Sequence, residues 1–158
     1  MFLFVIRHLG FLKSIPGLGI VFDAWLKVCT LLTNPAVPDH IDAIEAAVTK
    51  WSNIDTSIHK YGGLQFNYNK CEIGHIHSNG LLDMLLSRKI KQELMKEGRI
   101  QHHHSFKNSG WISFYIKTED DKEYAISLLK LGYDRYLESS VQMLMPGIKT
   151  SCVSALYH

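Results

Sequence analysis

The sequence has few cysteines and no excess of charge of one sign. Three cysteines, Cys29, Cys71 and Cys152, form no C-x-x-C pair, which argues against a disulfide framework and for a reducing compartment. The 17 basic and 15 acidic residues nearly cancel, and the basic ones are scattered, so no nucleic-acid partner is expected. With 158 residues, the chain fits one disulfide-free, cytoplasmic domain of unknown oligomeric state.

Several common catalytic motifs are also missing. No glycine-rich phosphate loop, G-x-S-x-G elbow or H-E-x-x-H pair occurs. The pair Gly17-x-Gly19 lacks the third glycine and the preceding strand of a dinucleotide site. What is abundant instead is histidine, with nine in the chain and five of them between His75 and His104.

Residues 1–34 are strongly apolar, but Arg7, Lys13 and Pro16 interrupt them before any run reaches the roughly 20 residues that span a bilayer. Arg7 follows the first apolar stretch, whereas a secretory signal carries its positive charge before it. We expect an uncleaved helical segment with two short helices, at about 2–12 and 18–33. These helices either cover the core or lie peripherally in a membrane interface.

The remaining chain predicts an α+β fold: an antiparallel sheet of about four strands with helices packed on one face. This domain is expected over 35–140, with a C-terminal extension over 141–158. Hydrophobic periodicity, turn residues and capping signals predict the following elements: a helix from Asp39 or His40 to about Asn53, strands at 64–68, 71–77, 81–86 and 111–116, and helices at 88–97 and 119–138.

Two histidine groups are candidates for chemistry. Alternation along the strand 71–77 places His75 and His77 on one face together with Ile73, and Glu72 on the other. The second group, 102–104, lies in the loop before the strand that Trp111 opens. If that loop returns beside the hairpin, three imidazoles converge.

Three interpretations of these histidines are open. They are hydrogen-bonded structural residues, or ligands of a zinc, iron or copper ion with an open position, or general acids and bases near neutral pH. Asp83 has three interpretations as well, because a charge in the apolar run 81–86 must be solvated at a sheet edge, paired with a residue such as Arg88, or part of a site. Glu72 and Trp111 are compatible with an exposed strand and a core position, respectively.

The sequence resembles the luciferase-domain family in two segments, Glu72-Ile73-Gly74-His75-Ile76-His77 and His103-His104…Ser109-Gly110-Trp111. Leu82-Asp83 and Gly98-Arg99, which lie between these segments, belong to the same resemblance. The resemblance covers about 62–137. That family contains fungal luciferases and small bacterial proteins, and this chain is more similar to the short bacterial type.

The resemblance implies oxygen-dependent chemistry, since fungal luciferases oxidise a hydroxylated styryl-pyrone with dioxygen and without a metal or organic cofactor. It therefore implies an oxidoreductase or binder for a planar enolic or phenolic small molecule, with no cofactor and no metal. The alternative is a non-catalytic small-molecule or metal-binding module, held at a membrane surface by residues 1–34. The implied catalytic residues are His75, His77 and His103, and the implied substrate-binding residues are Glu72, Asp83, Arg99, His104 and Trp111.

Overall fold

The computed structural model describes residues 18–143, which form four helices and one antiparallel sheet. The α+β class is confirmed, but the described sheet has six strands rather than about four. The strands are ordered β1-β2-β3-β4-β6-β5. Their bounds are β1 Ile54–Ile58, β2 Leu64–Tyr68, β3 Cys71–Ile76, β4 Leu81–Leu85, β5 Gln101–His102 and β6 Trp111–Tyr115, and those of the helices are α1 Leu18–Thr33, α2 Ala36–Val48, α3 Arg88–Glu97 and α4 Glu119–Met143.

The predicted hairpin and the central strands are present. Asn69 and Lys70 both have positive φ, 48° and 68°, which is the backbone that a two-residue hairpin turn needs. The two unpredicted strands lie at the sheet edges. β1 pairs with β2, and β5 contributes only two residues to β6, so neither has a long apolar pattern to reveal it.

Helix α3 begins and ends where its capping residues predict. The Ser87 hydroxyl accepts a hydrogen bond from the Ile90 amide at 3.2 Å, and Gly98 adopts φ 75° after the last turn. Helix α2 begins earlier than predicted, because Pro35 occupies its N-cap position and the helical turn starts at Ala36. The helix expected at 2–12 and most of the C-terminal extension lie outside the described residues.

One face of the sheet carries the hydrophobic core. Helices α2 and α4 pack against it, and Ile90, Leu94 and Met95 of α3 contact the same core, as expected for helices on one face. Fully buried side chains from both layers interlock there, which removes apolar surface from water. They include Ile44, Phe66, Ile73, Leu82, Ile112 and Leu129.

Helix α1 packs against the rest of the domain with one side, and its other side is exposed. Asp23, Leu26 and Thr30 are buried, whereas Trp25 and Leu32 are 58% and 82% exposed. Among residues 18–143, no helix combines the length and apolarity needed to cross a membrane. Peripheral membrane contact through residues 1–34 stays a prediction.

The cysteines differ from expectation. Cys71 is disulfide-bonded, so the prediction of a disulfide-free chain is wrong. Cys29 is free and partly buried. Three cysteines can form one disulfide and leave one free thiol. Neither the odd count nor the absence of a C-x-x-C pair therefore excludes a disulfide.

Candidate functional site

A β-bulge in β3 sets the composition of the site. Phe66 of β2 pairs with Gly74 and Asn67 pairs with Glu72, so Ile73 between them has no partner in the ladder. The extra residue shifts the alternation by one position. Glu72 therefore shares the face of His75, and Ile73 enters the core. The prediction that Ile73 lies beside His75, with Glu72 opposite, is wrong.

The bulge brings Glu72 against His75. His75 Nδ1 lies 2.7 Å from Glu72 Oε1, and an ionised carboxylate can only accept, so the Nδ1 proton is donated to Glu72. In the neutral imidazole, Nε2 is then the unprotonated nitrogen. The ring of His59, which follows β1, stacks on His75 with centroids 3.7 Å apart. His75 is thus fixed in both tautomer and orientation.

Asp83 lies at the centre of the polar side of the sheet. β4 is an interior strand and Asp83 is 1% exposed, which excludes solvation at an edge. The Ser113 hydroxyl on β6 donates to Asp83 Oδ1. Among the described residues, Oδ2 accepts no hydrogen bond and is the one buried side-chain atom in this condition. Among the described residues, the basic groups within 4 Å of Asp83 are imidazoles rather than Arg88.

The three histidines that the resemblance singles out converge on this oxygen. The Nε2 atoms of His75, His77 and His103 lie 4.0, 3.8 and 3.8 Å from Asp83 Oδ2. These separations exceed the roughly 3.2 Å limit of an ordinary hydrogen bond. None of the three imidazoles is therefore hydrogen-bonded directly to Oδ2.

His103 and His75 carry their protons on different ring nitrogens. The backbone amides of Ser105 and Phe106 lie 3.1 and 3.3 Å from His103 Nδ1 and can only donate. Nδ1 therefore accepts, and Nε2 carries the proton in the neutral ring. His103 thus offers an N–H toward Asp83, whereas His75 offers a lone pair.

His77 is oriented from helix α1. Its Nδ1 lies 3.7 Å from Asp23 Oδ1. Asp23 in turn accepts hydrogen bonds from the amide and hydroxyl of Ser78, at 3.0 and 2.6 Å. No sequence pattern connects Asp23 with the histidines, because it lies 54 positions before His77.

The pKa values of His103, His59 and Glu72 are all lowered, for different reasons. Burial lowers the pKa of His103 to about 4, against the opposing charge of Asp83, and that of His59 to about 3. Burial raises the pKa of Glu72, but the hydrogen bond and charge of His75 outweigh it, so the net shift is downward. The imidazoles of His59 and His103 are therefore neutral at pH 7, and Glu72 is ionised.

Aromatic rings border the site. The ring centroid of Trp111 lies 5.5 Å from that of His103 and 6.1 Å from that of His75, while Phe106 and His104 stack on His103 at 5.1 and 4.2 Å. Residues 104–109 also line a hollow of about 460 Å³. A larger groove of about 520 Å³ lies between α1, α2 and β1 and contains none of the histidines.

A buried lysine holds this border in place. Lys91 of α3 is 4% exposed, and its Nζ donates to the carbonyls of Lys107, Ser109 and Trp111 at 2.8–2.9 Å. Three hydrogen bonds from one cation fix a segment that has almost no regular structure. Lys91 is a positioning residue for Trp111, and the sequence pattern shows it only as one of several lysines on α3.

Arg99 is not brought to the histidines. It pairs with Asp120 at 2.7 Å and Asp121 at 3.2 Å, and its guanidinium lies 4.0 Å from the ring centroid of Tyr124. These contacts tie the end of α3 to the start of α4. Of the eight residues singled out by the resemblance, the other seven lie together. The residues that sequence reasoning missed are Asp23, His59, Lys91 and Ser113.

Residues 70–132 match the family model of the luciferase domain. The resemblance to that family is confirmed over this segment, which is less than half of the chain. The luciferase-domain segment contains β3, β4, β6 and the loop before β6, and hence His75, Asp83 and His103. Asp23 and His59 lie outside it. No curated protein and no solved structure matches the chain.

Proposed function

We propose that this chain is an oxidoreductase that uses dioxygen to oxidise a planar enolic or phenolic small molecule. The observation that carries the proposal is the Glu72–His75 pair, in which Nδ1–H is donated over 2.7 Å and Nε2 is left with its lone pair toward Asp83. An imidazole oriented by a carboxylate is a common general base. His75 is therefore the group that accepts the hydroxyl proton.

The reaction balances without an added cofactor. The hydroxyl proton moves to His75 Nε2, and the imidazolium formed is paired with the Glu72 carboxylate. The carbon of the enolate, or of the phenolate ring, bonds to dioxygen and transfers two electrons to it, which gives a peroxy anion. The proton then returns to the distal oxygen, so one substrate and one dioxygen give one hydroperoxide. His103 Nε2–H supplies a donor for the developing negative charge.

The border of the site supports a planar substrate. Trp111, Phe106 and His104 present ring faces or edges around His103. Flat conjugated rings stack on such surfaces with favourable dispersion and quadrupole interactions. Phe106 is 39% exposed, so the border is in contact with solvent and a ligand has a side from which to approach.

Oxygen uptake tests the proposal. We would incubate the full chain with 4-hydroxy-2-pyrone and with 4-hydroxystyrene, and follow dissolved oxygen with an electrode. Uptake in the wild type and a loss of at least about 100-fold in His75→Ala would support it. His102→Ala is the matched control, because His102 is exposed on β5, and it should retain full activity.

Two results would contradict the proposal. Uptake that is equal in wild type and His75→Ala, with both proteins folded by circular dichroism, would remove His75 from the reaction. Quenching of tryptophan fluorescence by the pyrone without any oxygen uptake would identify a binding module instead of an oxidoreductase.

A further inference from the structure

Among residues 18–143, the buried Asp83 carboxylate accepts a hydrogen bond at one of its two oxygens. A carboxylate that is 99% buried loses its hydration, and burial is tolerated when hydrogen bonds or a positive charge replace the water. Ser113 satisfies Oδ1, but Oδ2 has no hydrogen-bond partner among residues 18–143. The nearest charged or titratable groups are imidazoles, of which His75 presents a lone pair.

The distances suit a metal ion better than a direct hydrogen bond. His75 Nε2 and His77 Nε2 lie 4.0 and 3.8 Å from Asp83 Oδ2, and one ligand atom of each residue lies within 4.8 Å of the other two. Metal–ligand bonds of about 2.0–2.2 Å place neighbouring ligands about 3.0–3.4 Å apart. Closure around an ion therefore requires each imidazole nitrogen to approach Asp83 Oδ2 by about 0.4–1.0 Å.

Both histidines are backed by carboxylates. Glu72 accepts from His75 Nδ1, which leaves the Nε2 lone pair of His75 toward Asp83, and Asp23 Oδ1 lies 3.7 Å from His77 Nδ1. A carboxylate behind a histidine is the usual outer partner of a metal ligand, because it fixes the tautomer and raises the basicity of the ring. Two such pairs meet at one buried carboxylate.

His103 is excluded from the ligand set by its hydrogen bonds. Its Nδ1 accepts from two backbone amides, so its Nε2 carries a proton and has no lone pair for a metal. The convergence of three ligating imidazoles considered from the sequence is thus replaced by two imidazoles and one carboxylate. His103 instead offers a hydrogen bond to whatever lies near Asp83 Oδ2.

We propose that His75 Nε2, His77 Nε2 and Asp83 Oδ2 bind one divalent transition ion. Two histidines and one carboxylate, with open positions for other ligands, form the arrangement that suits Fe(II) in oxygen-using enzymes, and Co(II) and Zn(II) accept the same donors. The inference goes beyond the proposed function, which needs no metal. In the loaded protein, the ion occupies the His75 lone pair that otherwise accepts the proton.

Metal titration tests this inference without any substrate. We would treat the full chain with a chelator, remove the chelator, and titrate with Co(II) by visible absorption and with Zn(II) by calorimetry. We expect one ion per chain. His77→Ala and Asp83→Asn should each weaken binding at least about 100-fold, and Glu72→Gln about 10-fold to 100-fold. His103→Gln should change affinity less than about threefold, because it removes a donor and no ligand.

The controls separate a lost site from a lost fold. His102→Ala should bind like wild type, and near-ultraviolet circular dichroism should show that His77→Ala remains folded. Absence of stoichiometric binding in wild type would overturn the inference, as would binding that depends on His103 but not on His77. If metal binding fails while pyrone-dependent oxygen uptake remains, only this inference falls. If binding succeeds without uptake, only the proposed function falls.

Discussion

The two faces of the sheet bury neighbouring residues for different reasons. Leu82 and Asp83 are adjacent on β4 and are 0% and 1% exposed. Leu82 lies in the hydrophobic core, where burial stabilises the fold. Asp83 lies on the opposite face among histidines, where its Oδ2 accepts no hydrogen bond from the described residues and burial costs free energy. Equal burial therefore marks a stability residue on one face and a candidate site residue on the other.

The largest expected effect comes from the core face. Leu82→Ala removes three carbons from a fully buried position and should lower the free energy of unfolding by about 2–5 kcal/mol. Urea unfolding followed by circular dichroism measures this loss. Ile58→Ala, at a 75% exposed position on β1, should change it by less than about 0.5 kcal/mol. A loss below about 1 kcal/mol in Leu82→Ala would contradict the assignment of this face to the core.

The next effect comes from the support of the site. Lys91→Met removes the cation that bonds three carbonyls, and should lower the free energy of unfolding by about 2–3 kcal/mol. It should also increase the hydrogen exchange of amides in 105–110. Lys89→Met is the control, since Lys89 is exposed on the same helix. Equal exchange in both variants would show that Lys91 does not hold the loop.

Acid should lower the free energy of unfolding through the histidine face of the sheet, because His103 lies there. The pKa of His103 is about 4 in the folded protein, below its ordinary value of 6.5. Between these values the unfolded chain binds more protons, so stability present above pH 6.5 is lost as the pH falls toward 4. In chelator-treated protein the loss due to His103 between pH 7 and pH 4 should be about 3 kcal/mol. His103→Gln should flatten the pH dependence of the urea midpoint, and a slope equal to that of His102→Gln would contradict it.

The smallest expected effect on stability comes from Asp83 itself. Asp83→Asn keeps an acceptor for Ser113 and removes a buried charge, so the free energy of unfolding should stay within about 1 kcal/mol of wild type or rise. Urea unfolding of the metal-free protein measures it. A loss as large as that of Leu82→Ala would show that both faces serve stability alike.

Local signals predicted much of the fold. Ser87 and Gly98 bracket α3 by capping chemistry that is contained in the sequence itself. Asn69-Lys70 between two strand patterns gave the hairpin, and the H-x-H spacing gave two imidazoles on one face. These signals act within a few residues, so they need no knowledge of the tertiary structure.

The rest depends on tertiary geometry that a single sequence does not contain. The bulge at Ile73 moved Glu72 to the face of His75, although alternation predicts the opposite. His59 reaches the site from the end of β1, which lies two strands from β3, and Asp23 reaches it from α1 through its contacts with Ser78 and His77. The interior position of β4 decided among three interpretations of Asp83, and that position follows from strand order rather than from local pattern.

The most direct test is the protonation of individual imidazole nitrogens by ¹⁵N NMR. Metal-free protein at pH 7.5 would be labelled on histidine, with resonances assigned from His75→Gln and His103→Gln. We expect a proton on Nδ1 of His75 and on Nε2 of His103, because Glu72 accepts from the first ring and two backbone amides donate to the second. A proton on Nε2 of His75 would contradict it, because the lone pair required by both the oxidation and the metal site would be absent.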